Sequence, residues 1–95
     1  MVEFEWDEAK KEQNIAKHGI DFADARRIFD KPVLLRPDDR KEYGENRLIA
    51  TGVMKDIVVV MTFTLREERI RIISVRKANK HERKIYQDQI SSQQN

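Results

Sequence analysis

The sequence predicts an α+β fold in the order α-α-β-β-β-β-α, an antiparallel sheet with helices packed on one side. Three observations carry this. Residues 1–30 have helical apolar spacing, broken at Gly19 and stopped at Pro32. Residues 33–76 change to period two, with tight connections near 54–56 and at 67–68. Asn79 and Glu82 then stand at the three-residue spacing of a capping box, which opens a last helix.

The elements follow in order. Asp7 caps a first helix running to about Lys17, with a weak apolar face of Ala9, Gln13, Ile15 and Ala16. Gly19 stands where a left-handed cap ends it. Asp21 caps a second, short helix through Phe29, in which Phe22, Ala25, Ile28 and Phe29 have helical spacing. Residues 33–36 form a short strand before Pro37, and residues 38–46 form a charged loop, the internal segment expected to be most mobile. Residues 47–53, 57–65 and 69–76 are three strands of a meander. The run 57–61 is apolar on both faces, as a central strand should be. The last helix extends to about Gln89, with Ile85, Tyr86 and Gln89 or Ile90 turned inward.

At 95 residues the chain makes one domain, expected over residues 1–90, followed by a polar tail at 91–95. Its core must be small. There is no cysteine, so disulfides, thiolate metal sites and cysteine nucleophiles are excluded. Two histidines, His18 and His81, are too few and too separated to suggest a metal centre, and no cofactor is implied. No apolar run approaches the length of a membrane span, and the acidic N-terminus does not read as a signal peptide. A cytoplasmic protein with no membrane association is expected.

The near-neutral total charge hides a dipolar chain. From residue 69 onward, Arg69, Arg71, Arg76, Lys77, Lys80, Arg83 and Lys84 face only Glu82 and Asp88. A cluster of this kind favours a polyanion, with nucleic acid the first candidate, although a solvated charged face has the same composition. Arginines on a strand are costly unless they open to solvent, an acid or an anion, and a fixed guanidinium makes a good phosphate clamp. Under strict alternation Arg71 and Arg76 fall on opposite faces. Either the strand is bulged near Ile72 and Ile73, or only one of the two arginines serves a site. Arg76 is favoured, since it ends the strand beside the N-terminus of the last helix. Cross-strand pairing of these arginines with Glu67 or Glu45 is the structural alternative.

Three further residues have two readings each. His18, before Gly19, is either a proton-transfer group or a helix C-terminal contact. Trp6 is either a stacking platform for a base or a staple that packs the N-terminus onto the sheet, with the staple favoured. Tyr86, three residues after Arg83, is either a functional hydroxyl or a core tyrosine.

Two separated blocks, FEWDEAKKEQNIAKHGIDFADARRIFD and RIRIISVRKANKHERKIY, resemble the BrnT family of bacterial toxins. The matching positions are Trp6, Asp7, Lys10, Asn14, Lys17, His18, Gly19, Phe22, Ala25, Phe29 and Asp30. In the second block they are Arg69, Arg71, Ile73, Ser74, Arg76, Ala78, Glu82, Arg83 and Tyr86. The resemblance spans residues 4–86 and implies a RelE-like ribonuclease fold, a cytoplasmic location and growth arrest through RNA cleavage. It also implies inhibition by a BrnA-type antitoxin whose dimer binds DNA. Such enzymes work without metal, using arginine, lysine and tyrosine. On that basis Arg71 and Arg76 clamp phosphate, Arg83 and Tyr86 complete the basic wall, and Lys17 or His18 transfers the proton when the ribose 2′-hydroxyl attacks. The competing classes are a nucleic-acid-binding module without chemistry and an interaction protein whose basic face meets an acidic partner.

Overall fold

The computed structural model describes residues 2–40 and 42–93. Its elements are β1 (Glu3–Trp6), α1 (Glu8–His18), α2 (Phe22–Ala25), a 3₁₀ helix (Arg26–Asp30), β2 (Leu34–Pro37), β3 (Arg47–Met54), β4 (Ile57–Arg66), β5 (Arg69–Lys77) and α3 (Lys80–Gln93). They form one five-stranded sheet in the order β1-β5-β4-β3-β2.

Two expectations are corrected. The sheet is mixed, not antiparallel throughout, because the unanticipated strand β1 pairs parallel with β5, Glu3 opposite Arg69 and Trp6 opposite Ile72. The pairing brings Glu3 and Glu5 onto Arg69 and Arg71 with ion pairs of 3.0 and 2.7 Å. Nor do all helices share one side. Cross-strand partners show which residues share a face. Ala50, Val59, Met61, Phe63, Ile72 and Val75 build the main core with Phe22, Ala25 and Ile28. Ala78, which leads into α3, instead packs with Ile49, Val58 and Val60 on the opposite face.

Local chemistry explains the boundaries. The Asp7 carboxylate accepts from Ala9 and Lys10 N–H, and Gly19 closes α1 at φ 70°. Asp21 accepts from Ala23 N–H. The second helix is tighter than expected, since α2 passes at once into the 3₁₀ helix. This helix lies against β3 at Gly52, where an added Cβ would meet Ile28 Cβ at 2.9 Å and Val33 Cγ1 at 3.0 Å. Any larger residue would push the layers apart. Lys55 and Asp56 both have positive φ, 49° and 69°, in the two-residue turn that matches hairpin twist.

Trp6 sits edge-on to Phe22, their ring centroids 6.2 Å apart, so the staple reading holds. The charged loop is fastened at named points. Asp38 is buried, receives two hydrogen bonds from the Arg40 guanidinium (2.7 and 2.8 Å), and donates its N–H to Arg47 O. Arg40 beside it holds the Asp38 carboxyl below the usual range. The Thr64 hydroxyl donates to Asn46 O at 2.7 Å. The last helix continues to Gln93, so the expected tail is helical at Ser91 and Ser92, while residues 94 and 95 lie outside the described residues.

Candidate active site

The site depends on one irregularity. Between β4 and β5 the register slips, so that Thr62 pairs with Ser74 and Phe63 with Ile72, leaving Ile73 as the extra residue of a β-bulge. The slip moves everything after it to the other face. Arg71, Ser74 and Arg76 therefore stand on the same side as Thr64, Thr62 and Val60, their partners across β4. Of the two arrangements the sequence allowed, the bulged one is present. Arg71 and Arg76 are four register steps apart, or ~13 Å of strand. They share a face without sharing a single phosphate.

Asn14 locks α1 to this part of β5. Its side-chain amide donates to Ile20 O at 2.9 Å, and its oxygen accepts from Val75 N–H at 3.0 Å. The strand needs this partner, because β1 ends opposite Ile72 and leaves the outer edge of β5 bare beyond it. Asn14 is 6% exposed, so a side chain unable to replace both bonds would bury unsatisfied backbone groups.

Arg76 is held by Glu82. Its Nη1 and Nη2 each meet a carboxylate oxygen at 2.8 Å, and Nη1 also donates to Lys77 O. Glu82 accepts in addition from Asn79 N–H, while its own N–H donates to the Asn79 side chain, completing the expected capping box. The Arg76 guanidinium holds the Glu82 carboxyl down to about 2, and Arg76 is raised in turn. Glu82 takes the end of the guanidinium. Along the Nε–Nη2 edge, Nε has no protein partner among the described residues and Nη2 keeps a second hydrogen beyond the one given to Glu82. That edge is a two-donor fork of the kind that receives a phosphate.

The other candidates divide into two groups. Lys17 and His18, at the C-terminal end of α1, line a cleft of about 230 Å³ with Lys10, Gln13, Asn14, Ile73 and Ser74. Ser74 thus joins this cleft to the face that carries Arg76. Arg83 and Tyr86 make anchoring contacts within and below α3. Arg83 donates to Ala78 O at 2.9 Å. Tyr86 is buried and donates its hydroxyl to Pro32 O at 2.7 Å, and burial raises its pKa. The core reading of Tyr86 fits this geometry, and its hydroxyl does not join the arginines. The expected partners of the arginines are also replaced: Arg71 pairs with Glu5 and Arg76 with Glu82, whereas Glu45 meets Arg47 and Arg66.

Sequence reasoning did not single out Glu82 as the holder of Arg76, or Asn14 as the clamp on the bulge. The capping-box spacing located Glu82, but nothing local reports that its second oxygen reaches back to the strand. A larger cleft, about 710 Å³, lies elsewhere, lined by residues that include Asp38, Tyr43, Arg47 and Leu65, and holds none of the six candidates. The arrangement at Ser74 has the stronger chemistry, with a fixed guanidinium fork and a lysine–histidine pair reaching the same strand.

The chain as a whole is similar to known ribonuclease toxins. The family model described as "Ribonuclease toxin, BrnT, of type II toxin-antitoxin system" matches residues 6–82. A 1.1 Å crystal structure of the Brucella abortus ribonuclease toxin BrnT is similar with a TM-score of 0.62 and 31% sequence identity, over 84% of this chain and 100% of that one. A comparison with curated proteins finds no match. The chain belongs to the BrnT family of ribonuclease toxins. A toxin of a type II system has an antitoxin as its partner. No helix among the described residues is long and apolar enough to cross a membrane.

Proposed function

We propose that the chain is a metal-independent endoribonuclease with a RelE-like site. In this reading the ribose 2′-hydroxyl attacks the adjacent phosphorus, the bond to the 5′-oxygen breaks, and a 2′,3′-cyclic phosphate and a 5′-hydroxyl remain. The reaction needs positive charge on the phosphate, a base at the 2′-hydroxyl and an acid at the leaving oxygen. Arg76 supplies the charge through its open Nε–Nη2 edge. Lys17 or His18, reaching the same strand at Ser74, transfers the proton. Arg71 lies too far along the strand to hold the same phosphate and serves a more distant part of the RNA. Arg83 adds to the basic surface, and Tyr86 holds the helix that carries it.

The observation that supports this best is the bulge at Ile73, which turns Arg71, Ser74 and Arg76 to one side. The protein would act in the cytoplasm. Its antitoxin would be BrnA-type, DNA-binding and dimeric, and would cover the basic face.

Induced expression tests the reading. Arg76→Ala should abolish growth arrest while antitoxin binding and most thermal stability persist. Arg76→Lys, which keeps the charge but loses the fork, should also be strongly impaired. Full toxicity of both variants would remove Arg76 from the site. Purified protein should cleave RNA in excess EDTA. Loss of cleavage in EDTA with recovery in magnesium would overturn the metal-free reaction, and RNA binding without cleavage would favour the non-catalytic module.

A further inference from the structure

We propose that the cleft between α1 and the bulged edge of β5 is a second phosphate subsite for single-stranded RNA, with Lys10 as its principal cation. This rests on the ribonuclease reading and adds to it a place for the nucleotide beside the cleaved one.

Lys10, Gln13 and Lys17 recur at three- and four-residue spacing, so they project from one stripe of α1, and all three line this cleft. The stripe spans about two helical turns, ~10 Å. Several cations of the sheet and of α3 are neutralised, whereas the two here, like Arg36, Lys77, Lys80 and Arg83, meet no carboxylate among the described residues. Arg69, Arg71, Arg76 and Lys84 each meet a carboxylate within 4 Å. Lys10 and Lys17 have no carboxylate partner among the described residues. They form a pair of uncompensated charges beside a strand edge that β1 does not cover.

The position fits a continuing RNA chain. Ser74 lines the cleft and is exposed, and it precedes Arg76 by two residues on the same face. Two residues of strand are ~7 Å, about the separation of consecutive phosphates in an extended single strand. With the scissile phosphate on the Arg76 fork, the neighbouring phosphate lies over Ser74 at the mouth of the lysine cleft. The Gln13 amide and Ser74 hydroxyl supply neutral hydrogen bonds, and Lys10 supplies the charge. Beyond β1 the edge of β5 is met by α1 through Asn14, so the sheet face and the helix adjoin at this cleft.

Oligonucleotide length tests this. The probes are a 2′-O-methyl dinucleotide, with one phosphate, and a 2′-O-methyl hexanucleotide, neither of which can be cleaved by 2′-hydroxyl attack. Binding is followed by NMR titration against Lys10→Ala and the unaltered protein, with thermal melts confirming equal folding. Lys10→Ala should weaken the hexanucleotide by about five-fold and reduce its salt slope by about 0.7. The dinucleotide should bind as before, and KM for RNA should rise by about the same factor as the hexanucleotide weakens. Equal weakening of both lengths, no weakening of either, or an effect on antitoxin binding alone would overturn the subsite. If the unaltered protein cleaves RNA but Lys10→Ala binds the hexanucleotide normally, only the subsite fails. If the unaltered protein neither binds nor cleaves RNA, the ribonuclease reading fails with it.

Discussion

The two long helices meet β5 by different means. α1 is tied to it by neutral, buried hydrogen bonds, with Asn14 between Ile20 O and Val75 N–H. α3 is tied to it by the Arg76–Glu82 ion pair, while the Tyr86 hydroxyl fastens the helix elsewhere, to Pro32 O just before β2. Most of α3 faces solvent, and Ile85, expected to turn inward, is 44% exposed. Bonds between neutral buried groups do not depend on pH and hardly on salt, whereas an ion pair at the surface depends on both. Lys17 and His18 therefore ride on the fixed helix. Arg76 is held by a carboxylate on the conditional one. The two halves of the proposed site differ in how firmly they are placed.

Three measurements break or sharpen this contrast. The largest effect is expected at Asn14. Asn14→Ala strands two buried backbone groups at about 1–3 kcal/mol each, so a loss of about 3 kcal/mol is expected. In a domain of this size that lowers Tm by roughly 15 °C. A change of a few degrees would mean that α1 is fixed by something other than its clamp.

A smaller loss is expected for Tyr86→Phe, which leaves Pro32 O without its donor at a cost of about 1 kcal/mol. Hydrogen exchange is the informative readout. Amides of α3 should exchange faster while those of β3 and β4 keep their protection. Uniform loss of protection would make α3 part of the same cooperative unit as the sheet.

The smallest effect concerns acid. The Glu82 carboxyl is lowered from 4.5 to about 2 by Arg76. A carboxyl lowered by folding stabilises the folded state above its unfolded pKa, and that contribution fades as pH falls through the folded one. The attachment of α3 should thus weaken between about pH 4.5 and 2, seen as faster exchange of its first turns. Glu82→Gln should show no such dependence on pH in that window. An unchanged acid response in Glu82→Gln would assign the titration to another carboxylate.

Much of the fold is legible in local chemistry. Asp7, Gly19, Asp21 and the Asn79–Glu82 box mark helix ends with side chains that bond their own neighbours, and the strands after residue 33 follow from apolar alternation. β1 is not legible in that way. EFEW is only four residues long, and its acids acquire meaning only opposite Arg69 and Arg71, sixty-six positions away. The face of α3 is hidden for a related reason. The small apolar patch of Ile49, Val60 and Ala78 that seats its start is drawn from three separate segments.

The candidate site was half readable. The mismatch of Arg71 and Arg76 under strict alternation demanded a bulge or the loss of one arginine, and the doubled Ile72-Ile73 marked the place. The partners of these arginines were not readable, since Glu5 and Glu82 lie on other elements. Alternation shows where a side chain points but not what meets it.

The parallel pairing of β1 with β5 also orders events during synthesis. The first strand to be made has its only sheet neighbour near the end of the chain, in residues 69–72. Until those residues emerge, Glu3 and Glu5 have no arginines to meet, and Val75 is not yet available to Asn14. The hairpin of β3 and β4, by contrast, closes over a two-residue turn as soon as it is made. The strand that carries Arg76 is thus the last to join the sheet, and β1 waits at the sheet's edge for a partner made more than sixty residues later.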